Sequence, residues 1–245
     1  MFLRTLRRKA ELFSSSSLTL KSGRKLSSAE KALLSPEALL DGKIRSACVE
    51  RLQNAQVFKP SKNSAIKSAA VLVPLCIHNG KLGLLYTLRS TKVSMNRGQV
   101  SFPGGMKDKN DATLEDTALR ETEEELNIAR SDIEIWGSGN LIVRKEMAVL
   151  PVLGFIGRVE PKSLKVNTNE VEKAFVQPLE KLCDLALCRY TQFRNNYTMP
   201  VYLVDNYKIW GLTAAITHIV MQALVPKVYK HNIIRLNLVS REENQ

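Results

Sequence analysis

The chain has 245 residues, of which 44% are hydrophobic and 24% charged, so it can bury a sizeable core and resembles ordinary globular proteins in composition. Its net charge is +12, and residues 1–26, with seven basic residues and one acidic residue, supply half of that excess. The remaining chain is only moderately basic, which favours an anionic small molecule over a nucleic acid as partner. No apolar run approaches the ~18–20 residues that cross a bilayer.

Cysteine spacing excludes another class of protein. The four cysteines show no Cys-x-x-Cys pairing, so neither a disulfide framework nor a structural zinc site is predicted. The three histidines, His78, His218 and His231, also lack the spacing of metal ligands. We therefore assign them to structure or surface.

Residues 1–26 have the composition of a mitochondrial transit peptide. They are basic and rich in serine, and their apolar residues can form one stripe on a helix: Phe2, Leu3, Leu6, Leu12 and Phe13. The alternative is a disordered basic tail that binds anionic surfaces. We predict import into mitochondria, to the matrix, with cleavage near Leu26.

A helical segment and a linker are predicted over 27–66. The first helix begins at Ser27 and is broken at Ser35-Pro36, and the second runs from Pro36 to about Gln53. Residues 59–64 have the composition of a linker.

The main domain is predicted over 67–230, followed by a tail over 231–245. Its first strand, 69–77, meets Asn79-Gly80, the strongest two-residue hairpin signal, and returns over 82–88. Hairpins mixed with helices indicate an α+β fold with helices on both sides of a mixed sheet. The later strands are predicted at 132–136, 149–159, 197–204 and 208–210, and the later helices at 179–188 and 212–224. Pro151 suggests an edge or a bulge in its strand.

The stretch 101–128 carries the chemistry. Pro103-Gly104-Gly105 is a strong turn signal, and a helix is predicted over 114–126 with Thr113 as its N-cap and Asp116 completing a capping box. Within that helix, Glu121, Glu124 and Glu125 are related by i, i+3 and i+4 and share one face, although like charges at that spacing repel. A divalent cation such as Mg²⁺ would explain such a cluster. The alternative is a solvated acidic face.

This stretch resembles the signature of the Nudix hydrolase family. The core of the signature, Arg-Glu-x-x-Glu-Glu, stands here as Arg120 to Glu125, with Thr122 where an aliphatic residue is usual and Asn127 in place of the final Gly. Asp111 lies near the usual upstream Glu. The run from Leu84 to Ser90, leading into Phe102-Pro103-Gly104-Gly105, resembles the coenzyme A pyrophosphatase branch, especially its mitochondrial members. Ser94 replaces the second Arg of that branch.

The resemblance implies a Nudix α/β/α sandwich with a mixed β-sheet and a metal-dependent hydrolase using Mg²⁺ or Mn²⁺. The implied reaction splits coenzyme A or acyl-coenzyme A into adenosine 3′,5′-bisphosphate and (acyl-)4′-phosphopantetheine. Glu121 and Glu125 would be the principal metal ligands, and Glu124 a further ligand or the base. Arg120 would orient Glu124, and Glu170 could complete the metal site or cap a local helix. The predicted substrate-binding residues are Arg89, Lys92, Arg97, Gly104 and Gly105.

Three other functions remain open at this point. A Nudix hydrolase for NADH or ADP-ribose would have the same metal site. A weakly catalytic Nudix-fold binding protein is suggested by Ser94 and Asn127. A nucleic-acid binder could use the basic N-terminal arm, although that arm lacks interleaved aromatic residues. The sequence predicts a small-molecule substrate, no nucleic acid and no membrane span, and it leaves the oligomeric state open.

Overall fold

The computed structural model describes residues 25–55, 67–93, 96–144, 146–192 and 198–231. The transit-peptide prediction covers residues 1–26, of which only Lys25 and Leu26 are described, and the linker prediction over 59–64 lies wholly outside the described residues. So does the predicted tail, apart from His231. Of the helices described, none is both long enough and apolar enough to cross a membrane.

The described chain begins with three helices, and the strands follow with the other helices among them. The helices are α1 (Ser28–Ala32), α2 (Pro36–Leu39), α3 (Gly42–Gln53), α4 (Leu114–Leu126), α5 (Leu179–Leu182) and α6 (Gly211–Leu224). The strands are β1 (Lys67–His78), β2 (Lys81–Arg89), β3 (Val100–Ser101), β4 (Gly104–Met106), β5 (Glu134–Ser138), β6 (Ile142–Arg144), β7 (Met147–Arg158), β8 (Val171–Pro178), β9 (Cys188–Gln192), β10 (Thr198–Val204) and β11 (Tyr207–Ile209).

The main sheet is mixed, as predicted. Its central path is β3-β2-β1-β7-β5, with β8 paired to β2, β4 to β1 and β6 to β7. Strands β1 and β7 run parallel, whereas the other pairs are antiparallel. A second, three-stranded antiparallel sheet has the order β11-β10-β9.

The side chains of β1 point alternately into two separate hydrophobic cores. Val73, Leu75 and Ile77 face the larger core, which contains residues of α3 and α6, whereas Leu72 and Cys76 face the smaller core beneath α4. Because successive side chains of a strand point to opposite faces, β1 carries apolar residues toward both. The α+β sandwich predicted from the sequence, with helices on both sides of a mixed sheet, is thereby confirmed.

Local turn chemistry also agrees with its prediction. Asn79 and Gly80 both have positive φ, at 49° and 73°, as a tight hairpin between β1 and β2 requires. His78 at this hairpin contacts the carbonyl of Val159, and His218 and Tyr229 pair in the core. These histidines lie in structural settings, as assigned.

Two predicted helices are wrong in extent. The helix expected from Pro36 to Gln53 is two helices, because the Asp41 side chain accepts hydrogen bonds from the N–H groups of Lys43 and Ile44 and starts α3 anew. The helix expected over 179–188 ends at Leu182, a short 3₁₀ turn spans Leu185–Leu187, and Cys188 begins β9.

The edge-strand interpretation of Pro151 is wrong. Strand β7 is internal, with β1 on one side and both β5 and β6 on the other. Pro151 lies between the segment of β7 that pairs with β6 and the segment that pairs with β5, where its carbonyl accepts from Gly139. Its missing N–H therefore falls at an interruption of that ladder.

Candidate active site

Helix α4, which carries the acidic signature, is capped at both ends by its own sequence. The Thr113 hydroxyl accepts from the N–H of Asp116, and the Asp116 carboxylate accepts in return from the N–H of Thr113, so the predicted capping box is present. At the other end, Asn127 adopts a left-handed conformation with φ 53° and ψ 38°. These two caps set the length and direction of the helix that presents the glutamates.

Three carboxylates converge beside this helix. One oxygen from each of Glu121, Glu125 and Glu170 lies within 4.8 Å of the other two. Glu125 is on the buried side of α4 with only 1% exposure, and Glu121 is half-buried. A tight group of carboxylate oxygens is the ligand type that Mg²⁺ and other hard divalent cations select.

Glu170 reaches this cluster through the pairing of β2 with β8. The Ser90 N–H, just past β2, donates to the Glu170 carbonyl, and Arg89 pairs with Val171. The Asn167 N–H donates to the carbonyl of Glu125, and the Asn167 side-chain amide donates to Glu170 Oε1 at 3.2 Å. A strand follows Glu170, so it caps no helix, and the alternative weighed from the sequence is wrong.

Burial controls the electrostatics of the cluster. Loss of solvent raises the pKa of Glu125 to about 8, opposed by the charge of Arg89 and a backbone hydrogen bond from Gly104, and reinforced by the nearby Glu121 and Glu170 carboxylates. Burial likewise raises the pKa of Glu121, against the pull of Arg120. Glu125 Oε2 is buried without a hydrogen-bond partner. A cation is the missing partner that this oxygen fits, because buried carboxylates are otherwise costly.

Arg120 holds the helix to the preceding loop. Its guanidinium donates to both oxygens of Asp111, at 2.9 and 3.0 Å, to Glu121 Oε1 at 2.9 Å, to Glu124 Oε2 at 3.1 Å and to the Met106 carbonyl. The paired hydrogen bonds from the Arg120 guanidinium hold the pKa of the Asp111 carboxyl well below its usual range. Arg120 thus contacts Glu124, as predicted from their spacing, but its main anchor is Asp111.

Glu124 lies apart from the three converging carboxylates. Its side chain is 52% exposed, and Arg120 Nη1 is its ion-pair partner. The structure therefore separates residues that share one helical face in the sequence, because the sheet covers Glu125 while Glu124 faces solvent. The role of Glu124 as a ligand or base stays a prediction.

The predicted substrate-binding residues occupy two places. Arg89 Nη1 lies 3.8 Å from Glu125 Oε1, at the edge of the carboxylate cluster, and its buried Nε has no hydrogen-bond partner. Lys92 and Arg97 are exposed on the loop between β2 and β3, where Arg97 Nε donates to the Val93 carbonyl. Gly104 and Gly105 lie in β4, which pairs with β1 directly beside α4.

Comparison with known proteins identifies the domain. The NUDIX domain family matches residues 67–197, beginning at the first residue of β1. The chain is a Nudix hydrolase. The later elements β10, β11 and α6 pack with the same sheet, and residues of all three belong to its larger core.

Curated Nudix relatives cover most of the chain. The human protein named mitochondrial coenzyme A diphosphatase NUDT8 is 41% identical over 181 residues, which is 71% of this chain and 77% of the relative. The Mus musculus protein of the same name is 40% identical and covers 68% and 82%. Nudix hydrolase 3 of Caenorhabditis elegans is 34% identical, covering 71% and 80%.

The two departures from the Nudix signature are accommodated. Asn127 takes the left-handed conformation that a Gly would take, so the turn after α4 is retained. Thr122 is fully buried where an aliphatic residue is usual, and its hydroxyl donates to the Ala118 carbonyl at 2.7 Å. That bond within the helix satisfies the hydroxyl, so burial costs little.

Gly105 leaves no room for a side chain next to Glu121. A Cβ at Gly105 would lie 2.5 Å from the Glu121 carboxyl carbon. We expect Gly105→Ala to displace Glu121 and to weaken activity at limiting metal about 100-fold, since misplaced ligands of this kind cost 10–100-fold in affinity. Titrating Mg²⁺ or Mn²⁺ against turnover measures this. Gly42→Ala, where a Cβ meets nothing within 4 Å, is the matched control, and equal metal curves for the two variants would contradict the interpretation.

Proposed function

We propose that this Nudix hydrolase cleaves the diphosphate bond of coenzyme A and acyl-coenzyme A. The products would be adenosine 3′,5′-bisphosphate and 4′-phosphopantetheine or its acyl form. The observation that carries the proposal is the 41% identity to the human coenzyme A diphosphatase, which extends over 77% of that relative. The Arg89 to Gly105 stretch, which resembles the coenzyme A branch, supports the same substrate.

Glu121, Glu125 and Glu170 are the residues that would hold a divalent cation, Mg²⁺ or Mn²⁺. Such a cation, when bound, offsets the negative charge of the diphosphate and activates water for attack. Glu125 is buried and Glu170 is held by Asn167, so the two can keep fixed positions while a substrate enters. Preorganised groups of this kind lose little entropy when the reaction begins.

Arg120 and Glu124 would act at the solvent side of the cluster. Arg120 holds Glu121 and Glu124 at once, so it sets the separation of their carboxylates. The Glu124 side chain is 52% exposed, so solvent water can reach its carboxylate, which suits a group that orients water or accepts its proton. Removing the Arg120 guanidinium would remove its contacts to both glutamates, so neither Arg120 nor Glu124 would then fill its proposed role.

Cationic side chains would bind the phosphates of the substrate. Arg89 has an unpartnered buried Nε and only a 3.8 Å contact to Glu125, so it can turn toward a phosphate that approaches the cluster. Lys92 and Arg97 extend from the following loop into solvent. Gly104 and Gly105 would let this part of the backbone lie close to the reacting diphosphate.

The cellular place of this reaction is proposed from the chain and its relatives together. Residues 1–26 have the composition of a transit peptide, and the human and mouse relatives are named mitochondrial. We therefore place the enzyme in mitochondria, in the matrix, where residues 67–230 would act as the catalytic domain.

Product analysis tests the substrate. The purified protein, stripped of metal and then supplied with Mg²⁺ or Mn²⁺, is incubated separately with coenzyme A, acetyl-coenzyme A, NADH and ADP-ribose. We expect adenosine 3′,5′-bisphosphate from the first two and slower turnover of the others. Faster turnover of NADH or ADP-ribose would overturn the substrate assignment. No turnover of any of the four would favour a binding role.

A further inference from the structure

An open groove lies at the end of β2, on the face of the sheet opposite α4. It has a volume of about 440 Å³ and is formed by Leu88, Gly98, Lys173, Tyr207, Lys208 and Trp210, which we call the Trp210 groove. That volume lies within the range of small-molecule sites. None of the predicted site residues lines it, although Gly98 directly follows Arg97.

The groove presents an unusually exposed aromatic ring. Trp210 is 44% exposed, and the Lys208 ammonium lies 5.5 Å from the centroid of its ring. Tyr207, which also lines the groove, stacks on Phe175 with ring centroids 3.6 Å apart, and the Lys173 ammonium lies 5.4 Å from the Tyr207 ring. Phe175 thus holds Tyr207 rigidly, whereas Trp210 keeps an accessible surface.

The groove carries two lysines and one carboxylate, Asp205. No carboxylate within the described part of the chain forms an ion pair with Lys173 or Lys208. Asp205 also lines the groove, but Lys181 Nζ lies 2.5 Å from it and Gln177 donates to it. A groove that holds an exposed indole and two ammonium groups suits a planar base that carries a phosphate, because aromatic rings stack on bases and ammonium groups attract phosphate.

The groove and the carboxylate cluster share one end of the β2–β8 ladder. Leu88 and Lys173 are cross-strand partners, and along the same two strands Arg89 reaches Glu125 and Glu170 joins the cluster. At a rise of ~3.3 Å per residue, Lys173 is about 10 Å along the chain from Glu170. A single extended ligand can therefore pass the end of this ladder and contact both.

We propose that the Trp210 groove binds the nucleotide end of coenzyme A, with the adenine against Trp210 and the 3′-phosphate facing Lys208 and Lys173. This assignment rests on the proposed function. The uncharged pantetheine arm would gain nothing from the two ammonium groups, whereas the 3′-phosphate is a dianion at neutral pH. The diphosphate would then lie toward Arg89 and the carboxylates, at the opposite end of the nucleotide.

Steady-state kinetics of the full chain with Mg²⁺ test the proposal, using coenzyme A and 3′-dephospho-coenzyme A. We expect Lys208→Ala to raise the KM for coenzyme A about tenfold and to leave the KM for the dephospho form unchanged. Trp210→Ala is expected to raise both KM values about tenfold, since stacking on one aromatic ring contributes on that order. The kcat should stay within about twofold in each variant, because neither side chain touches the reacting diphosphate.

Two further variants separate binding from folding. Trp210→Phe keeps a ring and should restore most of the lost affinity, and Lys43→Ala, which removes an exposed lysine of α3, should leave both KM values unchanged. Unchanged KM values in the Trp210 and Lys208 variants would overturn the proposal. So would a loss that depends on the length of the acyl chain, because the pantetheine arm would then occupy the groove.

Calorimetric titration of adenosine 3′,5′-bisphosphate separates this proposal from the proposed function. If the protein does not cleave coenzyme A but binds the bisphosphate, and Trp210→Ala weakens that binding about tenfold, the groove assignment stands and the proposed function fails. If coenzyme A is cleaved with the same KM by wild type and both variants, the groove assignment alone fails.

Discussion

Replacing Glu125 with Gln is expected to abolish hydrolysis while stabilising the metal-free protein. The substitution removes a carboxylate from the cluster with Glu121 and Glu170, so turnover should fall at least about 1,000-fold, beyond the 10–100-fold typical of losing an outer-shell group. It also removes a carboxylate that is 1% exposed and has an unpartnered oxygen. In the absence of a cation, a neutral amide costs less in that position.

The effect of Glu125 on the stability of the metal-free protein depends on pH. The folded protein holds the pKa of Glu125 at about 8, above the ordinary 4.5, so its contribution to the stability of metal-free protein is greatest below about pH 4.5 and is lost as the pH rises toward 8. We expect chelated wild type to lose roughly 2–4 kcal/mol from this source between pH 5 and 8. The Gln variant should not show this loss, and urea unfolding with a chelator present measures both.

Glu123→Gln is the matched control for Glu125→Gln. Glu123 lies on the same helix, but it is exposed and pairs with Arg130. Its replacement should change turnover less than about twofold, since exposed ion pairs contribute little. Retention of more than about a tenth of wild-type turnover by Glu125→Gln would show that Glu125 is not an essential ligand.

Arg120→Ala is expected to damage both activity and stability. The side chain makes five hydrogen bonds, which join Asp111, Glu121, Glu124 and the Met106 carbonyl. Without it, the side chain of the buried Asp111 keeps only its contacts to Thr117 and the Asp108 N–H, and Glu121 and Glu124 lose the guanidinium that they share. We expect turnover to fall about 100–1,000-fold and the midpoint of thermal unfolding to fall by roughly 5–10 °C.

Two comparisons make the Arg120 result specific. Arg120→Lys keeps the charge but cannot donate to both Asp111 oxygens and two glutamates at once, so its activity should lie between those of wild type and the Ala variant. Arg130→Ala removes an exposed arginine from the turn after α4 and should change little. Because Arg120 lowers the pKa of Asp111, the stability difference should be present at neutral pH and fade as the pH falls below the usual carboxyl range. A difference that persists unchanged in acid would contradict this mechanism.

Most local structure around the site was predictable from neighbouring residues. The Thr113–Asp116 box, the left-handed Asn127 and the Asn79-Gly80 hairpin each depend on interactions within a few residues, and each is present in the structure. The Arg120 to Glu125 spacing was sufficient to indicate the family. Such features are encoded locally because side-chain caps and positive φ angles require no distant partner.

Strand β8 depends on a partner that is distant in the sequence. Strand β8 was not predicted, since Lys173 and Glu172 interrupt its apolar pattern, and its stability comes from pairing with β2. Without that pairing, Glu170 could not be placed beside Glu121 and Glu125. The residues next to Glu170 in the sequence carry no signal for its position relative to Glu121 and Glu125.

The sequence by itself determined the caps and length of α4, the hairpin, the α+β class and the acidic signature. Only the tertiary structure decided which carboxylates meet, because the sheet buries Glu125 and leaves Glu124 in solvent although both project from one helix. It also decided that Glu170 joins them and that Trp210 lies exposed in a groove that holds Lys173 and Lys208. These outcomes depend on contacts between residues distant in the chain, which no local pattern specifies.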